Sequence, residues 1–114
     1  MKISHMQTEA IDILAVSGRI DAVTSPDFEN QLLDLVKKVN VGCVLDFDGV
    51  DYVSSAGLRV LLVALRRFNG LDKTLVVARP SDDVNEVITL TGFHKLLKIC
   101  DSMSAACEAA LAKG

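Results

Sequence analysis

The chain is 114 residues long, half of them apolar and about a quarter charged, a globular composition within the usual size of one domain, so residues 1–114 are expected to fold as a single unit. One Tyr, four Phe and no Trp leave the core to aliphatic side chains. The net charge of -3 divides into nine acids against four bases over residues 1–57 and six against eight over residues 58–114. That weak polarity argues against direct nucleic-acid binding, and the pairs Lys37-Lys38 and Arg66-Arg67, on predicted helices without interleaved aromatic residues, read as solvated helix faces.

No apolar run approaches the roughly 20 residues that cross a bilayer, and Met1-Lys2-Ile3-Ser4-His5 has no secretory hydrophobic region. No membrane contact and a cytoplasmic location are expected. Cys43, Cys100 and Cys107 form an odd set without CxxC spacing, which argues against both a disulfide framework and a zinc site. They read as reduced packing residues, and no metal is expected.

Lys2 to Gln7 and Ile11 to Ser17, separated by Thr8-Glu9-Ala10, predict an opening antiparallel hairpin. Gly18-Arg19-Ile20-Asp21 leads to Ser25-Pro26, where Ser caps a helix and Pro fits its first turn. Phe28, Leu32, Leu35, Val36 and Val39 then recur at helical spacing, with Glu29, Asp34, Lys37 and Lys38 on the other side. Cys43 to Phe47 reads as a buried strand that ends in a turn on Asp48-Gly49. Beyond it, Ser54-Ser55 precedes a second stripe of Leu58, Leu61, Leu62, Leu65 and Phe68 that stops near Asn69-Gly70. Thr74 to Ala78 is a further strand, Ser81 caps a helix carrying Val84, Val87 and Ile88, and Gly92 stops it. Leu96 to Cys100 is a short strand, and Ser102 caps a last helix whose apolar face holds Met103, Ala106, Ala110 and Leu111. Strands alternating with helices of this length favour βαβ crossovers. The expected class is α/β, with about four helices on a mixed, mostly parallel sheet.

In open α/β sheets functional groups gather beyond the carboxyl ends of strands, where loops meet helix N-termini. Ser54 and Ser55 are predicted at such a place. A serine there can cap the helix, or it can accept a phosphate that the unpaired N–H groups and the helix dipole tolerate. Local chemistry leaves both roles open. Asp21 either bonds to backbone amides of its own loop or faces a partner, Gly57 admits a partner backbone or eases the start of the helix, and Leu58 is half-exposed for binding or wholly core. Asp21, Asp46, Asp48 and Asp51 are expected to make this edge acidic.

The run Leu45-Asp46-Phe47-Asp48-Gly49-Val50-Asp51-Tyr52-Val53-Ser54-Ser55-Ala56-Gly57-Leu58-Arg59-Val60-Leu61 closely resembles the signature of STAS domains, particularly bacterial anti-sigma factor antagonists. Gly18-Arg19-Ile20-Asp21-Ala22 and the helix after it look like the family's other recurrent stretch, and the order of elements fits the family fold over nearly the whole chain. The resemblance implies that Ser55 is the serine phosphorylated by an anti-sigma factor kinase and that Gly57-Leu58 begins the helix shown to that partner. Asp21, Ser54, Ser55, Ala56, Gly57, Leu58 and Arg59 are the implied partner-binding residues. By the same resemblance the dephosphorylated protein binds the anti-sigma factor and frees the sigma factor, a phosphatase resets it, and the protein needs no cofactor, since Mg-ATP belongs to the kinase. Two positions depart from the pattern: many kinase-regulated members have Asp directly before the acceptor, where Ser54 stands, and Ser after it, where Ala56 stands.

Catalysis is the main alternative of another class, with Ser55 as nucleophile and His5 or His94 as base. The residues do not favour it, because a nucleophile elbow needs Gly where Val53 stands, and no H-E-x-x-H, P-loop or G-x-G-x-x-G element is present. No enzyme activity is expected, and His94 reads as a helix-end cation or a partly buried ring. A second alternative keeps the STAS-like fold but docks it, as a stand-alone subunit, on a transporter ATPase or another signalling protein.

Overall fold

A computed structural model describes residues 1–8 and 10–112. In chain order the elements are β1 (Lys2–Gln7), β2 (Ile11–Ile20), α1 (Ser25–Lys38), β3 (Gly42–Val53), α2 (Ser55–Gly70), β4 (Thr74–Ala78), α3 (Asp82–Leu90), a 3-10 turn (Phe93–Lys95), β5 (Lys98–Cys100) and α4 (Met103–Leu111). The strands form one sheet in the order β1-β2-β3-β4-β5. β1 and β2 are antiparallel, whereas β2 through β5 run parallel. This is the mixed α/β sheet opened by a hairpin that the sequence predicts. Of the expected hairpin turn Thr8-Glu9-Ala10, Glu9 lies outside the described residues.

Successive strand residues point to opposite faces, so each inner strand feeds two cores. Cys43, Leu45, Phe47, Leu75 and Val77 join Phe28, Leu32, Leu61, Phe68 and Ile88 of α1–α3 on one face. Val44, Val76 and Ala78 meet Ala106 and Ala110 of α4 on the other. Small residues let α4 approach closely: a methyl on Gly42 would collide with the Ala110 carbonyl. The three cysteines are free thiols, two buried and one half-buried. Burial, reinforced by the Asp12 carboxylate, pushes the Cys43 thiol up, which leaves it a neutral packing group.

Several local expectations are corrected. β3 does not turn at Asp48-Gly49 but continues to Val53, because β2 also continues past Ser17 and supplies partners as far as Ile20. The extra length is absorbed by two register shifts opposite Ala15–Ser17 and Gly18–Arg19. The Asp46 carboxylate accepts the Asp48 N–H at 3.1 Å at the first of these, so the Asp-Gly signal serves a bulge. Ser25 does not cap α1: it is the first helical residue, Thr24 occupies the cap position, and Ser25 is buried. Leu96 lies outside β5 and is 62% exposed, since the turn at Phe93–Lys95 takes up the chain first. His94 lies in that turn and is exposed, with no buried ring.

One buried carboxylate ties the edge strand down. Asp12 is 2% exposed and its Oδ2 lies 2.5 Å from His5 Nε2 across the β1–β2 pair. Asp12 is buried while the His5 side chain is 40% exposed, and removing only the ring leaves the buried carboxylate with its desolvation penalty, which removing both groups does not. His5→Ala is therefore expected to lower unfolding free energy by about 2–3 kcal/mol, and the double change His5→Ala/Asp12→Leu to recover most of it. Urea titrations measure both; a double variant weaker than His5→Ala would contradict the pairing.

Candidate functional site

The ends of β2 and β3 and the starts of α1 and α2 meet at one end of the sheet. The Ser54 N–H donates to the Ile20 carbonyl at 2.9 Å, which ties the two strand ends together. Ser54 then leaves the strand with extended backbone, its Oγ accepting the Gly57 N–H at 3.3 Å, and its carbonyl accepts the Leu58 N–H at 2.9 Å. These are the bonds of an N-cap. Ser55 is the first residue of α2 and is exposed, whereas Ser54 is half-buried. Ser54 therefore supplies the cap, and Ser55 beside it is exposed.

α2 begins at Ser55, two residues before Gly57-Leu58. A Cβ on Gly57 would lie 2.7 Å from Ile20 Cγ2, 3.0 Å from Val53 Cγ1 and 3.1 Å from the Ile20 carbonyl oxygen. The missing side chain at Gly57 lets α2 start directly against the strand ends, in keeping with a glycine that eases entry into the helix. Leu58 is 6% exposed and part of the main core. Of the implied contact residues on α2, Ser54, Ser55, Ala56 and Arg59 reach the surface, while Gly57 and Leu58 lie beneath it. In this structure those two residues support that surface from below.

The adjoining β2–α1 loop is organised by Asp21. Its Oδ1 accepts the N–H groups of Val23 and Thr24 at 3.0 and 3.1 Å, and the Thr24 hydroxyl lies 3.3 Å away. The Thr24 Oγ1 in turn accepts the Asp21 N–H at 2.9 Å and donates to the Arg19 carbonyl at 2.8 Å. The Thr24 N–H foremost, with the Val23 N–H, the Thr24 hydroxyl and Arg19, holds the Asp21 carboxyl below its usual range against a smaller opposing desolvation. Arg19 stacks over Tyr52 at 4.3 Å, its Cα partner on β3, and Arg59 Nη2 bridges to Glu29 Oε1 of α1 at 3.3 Å.

The expected acidic edge is only partly present. Asp46 precedes the end of β3 by seven residues, on the order of 20 Å along a strand, and is neutralised by Arg79 through bonds of 2.8 and 3.2 Å. Asp21 faces its own loop, and only Asp51 of the four remains both exposed and close in sequence to Ser55. Sequence reasoning missed Thr24, Val23, Tyr52 and Glu29 at this end of the sheet. The spacing Asp21-x-x-Thr24 is a usable signal for a side-chain-stabilised turn, but the Glu29–Arg59 bridge joins residues 30 apart and has no local signal. A cleft of about 600 Å³ opens elsewhere, beside β1 at the β3 bulge, and includes none of residues 54–59. Among the described residues no three His, Cys, Asp or Glu come together as metal ligands.

Residues 2–106 match the family model of the STAS domain. BtrV of Bordetella bronchiseptica, which carries the name of an anti-sigma factor antagonist, is 29% identical over 109 residues, covering 96% of this chain and 94% of that protein. The crystal structure of an anti-sigma factor antagonist from Mycobacterium paratuberculosis superimposes with a TM-score of 0.89 at 23% identity, covering 97% and 94% of the two chains. The Bacillus cell fate determinant SpoIIAA in its phosphorylated form gives a TM-score of 0.71 at 13% identity, covering 94% and 97%.

The cap and the exposed hydroxyl separate in a mutational series read by urea denaturation. Gly57→Ala is expected to lose about 1–3 kcal/mol through overpacking against Ile20, Ser54→Ala about 1 kcal/mol through loss of the cap, and Ser55→Ala less than about 0.5 kcal/mol. A Ser55→Ala loss larger than that of Ser54→Ala would reverse the assignment.

Proposed function

The chain belongs to the STAS domain family, and from that premise we propose that it is a non-enzymatic anti-sigma factor antagonist, switched off by phosphorylation of Ser55. The unmodified protein binds an anti-sigma factor that is also its kinase and releases the sigma factor; a phosphatase restores it. The observation that carries this reading is the exposed hydroxyl of Ser55 at the first position of α2, beside a cap that Ser54 already supplies. Ser54 in place of the common Asp then has a physical sense, since a serine oxygen accepts the Gly57 N–H. The names of the sequence relatives support the partner class.

A phosphate on Ser55 affects the fold and the complex in opposite directions. Within the chain it stands at a helix N-terminus, where negative charge is favourable by roughly 0.3–1 kcal/mol. At an interface it brings nearly two charges and a hydrated group onto a surface that must lose its water. At about 6 Å and an effective dielectric between ~20 and ~80, one like-charge pair costs roughly 0.7 to 3 kcal/mol. Two charges at the low end already amount to about tenfold in affinity.

The test is incubation with the anti-sigma factor kinases of the same genome and Mg-ATP, followed by mass spectrometry. Phosphate is expected on Ser55, Ser55→Ala is expected to bind the kinase but remain unmodified, and Ser55→Asp to bind about tenfold more weakly. Phosphate elsewhere with Ser55 untouched would overturn the site, and a Ser55→Asp protein that binds like the parent would overturn the exclusion.

A further inference from the structure

Val23 is the most exposed of the large apolar residues that reach the surface, at 86%, and it sits in the hydrogen-bonded loop between β2 and α1. Turn positions of this kind favour small polar residues. Here an isolated β-branched side chain, with little rotamer freedom to lose, stands on a backbone whose conformation is fixed from within. Its own N–H is taken by Asp21 Oδ1 at 3.0 Å, Thr24 bonds to both the Asp21 N–H and the Arg19 carbonyl, and the Ser25 N–H closes the turn on the Asp21 carbonyl at 2.8 Å. Single exposed hydrophobic residues are ordinary on protein surfaces. This one is distinguished by its support and by its continuity with the proposed docking surface: the Ile20 carbonyl, one residue before Asp21, accepts the Ser54 N–H, so the loop that carries Val23 starts where the strand leading to Ser54 ends.

We propose that Val23 is the apolar anchor of the complex, seated in an apolar pocket of the anti-sigma factor, and that Asp21 acts as a positioning residue that fixes the loop carrying it. A pre-ordered anchor loses little conformational entropy on binding, which is the property of interface hot spots. Asp21 contributes through its Oδ1 as an acceptor of loop N–H groups, so its charge is dispensable while its acceptor oxygen is not. The inference rests on the antagonist reading.

The experiment measures binding of purified parent and variants to each purified anti-sigma factor kinase of the same genome. Val23→Asp is expected to weaken the complex about tenfold or more and Val23→Ala severalfold, both with unchanged thermal unfolding, because the side chain touches little in the free protein. Asp21→Ala is expected to weaken binding severalfold, and Asp21→Asn, whose amide oxygen still accepts, to restore parental affinity. Val23→Asp binding like the parent would overturn the anchor. Asp21→Asn as weak as Asp21→Ala would overturn the positioning role and make the carboxylate a direct ionic contact. If no kinase binds the parent protein, the antagonist reading falls and this inference with it, whereas either of the first two failures leaves that reading standing.

Discussion

The Ser54 N–H reaches the Ile20 carbonyl at 2.9 Å only because Gly57 has no side chain to hold α2 away from the ends of β2 and β3. That close approach settles several things together. It fixes where the helix starts, which serine lies in the cap position, and which serine is turned out to solvent. It also joins the strand ends that carry the two loops of the site, so the loop around Asp21 and the start of α2 form one rigid surface.

A surface of that kind suits a switch that works by charge and not by shape. In the proposed role a phosphate on Ser55 would stand at a helix N-terminus, which favours negative charge, while Ser54 keeps the cap. The buried side chains beneath, Ile20, Val53 and Leu58, belong to one core cluster, with the Gly57 backbone close against Ile20 and Val53, and such packing resists local movement. In the proposed role, modification therefore changes what the surface will bind while leaving what it is.

Much of the architecture was legible in the chain. Helical stripes such as Phe28-Leu32-Leu35 and Leu58-Leu61-Leu65, and the caps Ser81 and Ser102, rest on local periodicity and local hydrogen bonding, and those elements are found within a residue or two. The failures share a cause. Asp48-Gly49 reads as a turn until β2 is known to run alongside, Ser25 reads as a cap until Thr24 is recruited by Asp21, and Leu96 reads as strand until the Phe93–Lys95 turn intervenes. Each depends on a partner that local patterning does not specify. At the site, the position of the paired serines was legible from the strand–loop–helix pattern, but which of them caps the helix was not, since either serine could supply the cap oxygen. The close packing at Gly57 is made by Ile20, 37 residues away in the chain.

In the proposed switch, phosphate on Ser55 is compatible with the fold and incompatible with the complex. The most direct measurement takes one preparation of the protein, half of it phosphorylated at Ser55, and determines for each form both the thermal unfolding midpoint and the dissociation constant for the same anti-sigma factor. The expected result is an unfolding midpoint equal or slightly raised on phosphorylation with affinity reduced about tenfold or more. Equal affinities for the two forms, or a phosphorylated form that unfolds at markedly lower temperature, would contradict it.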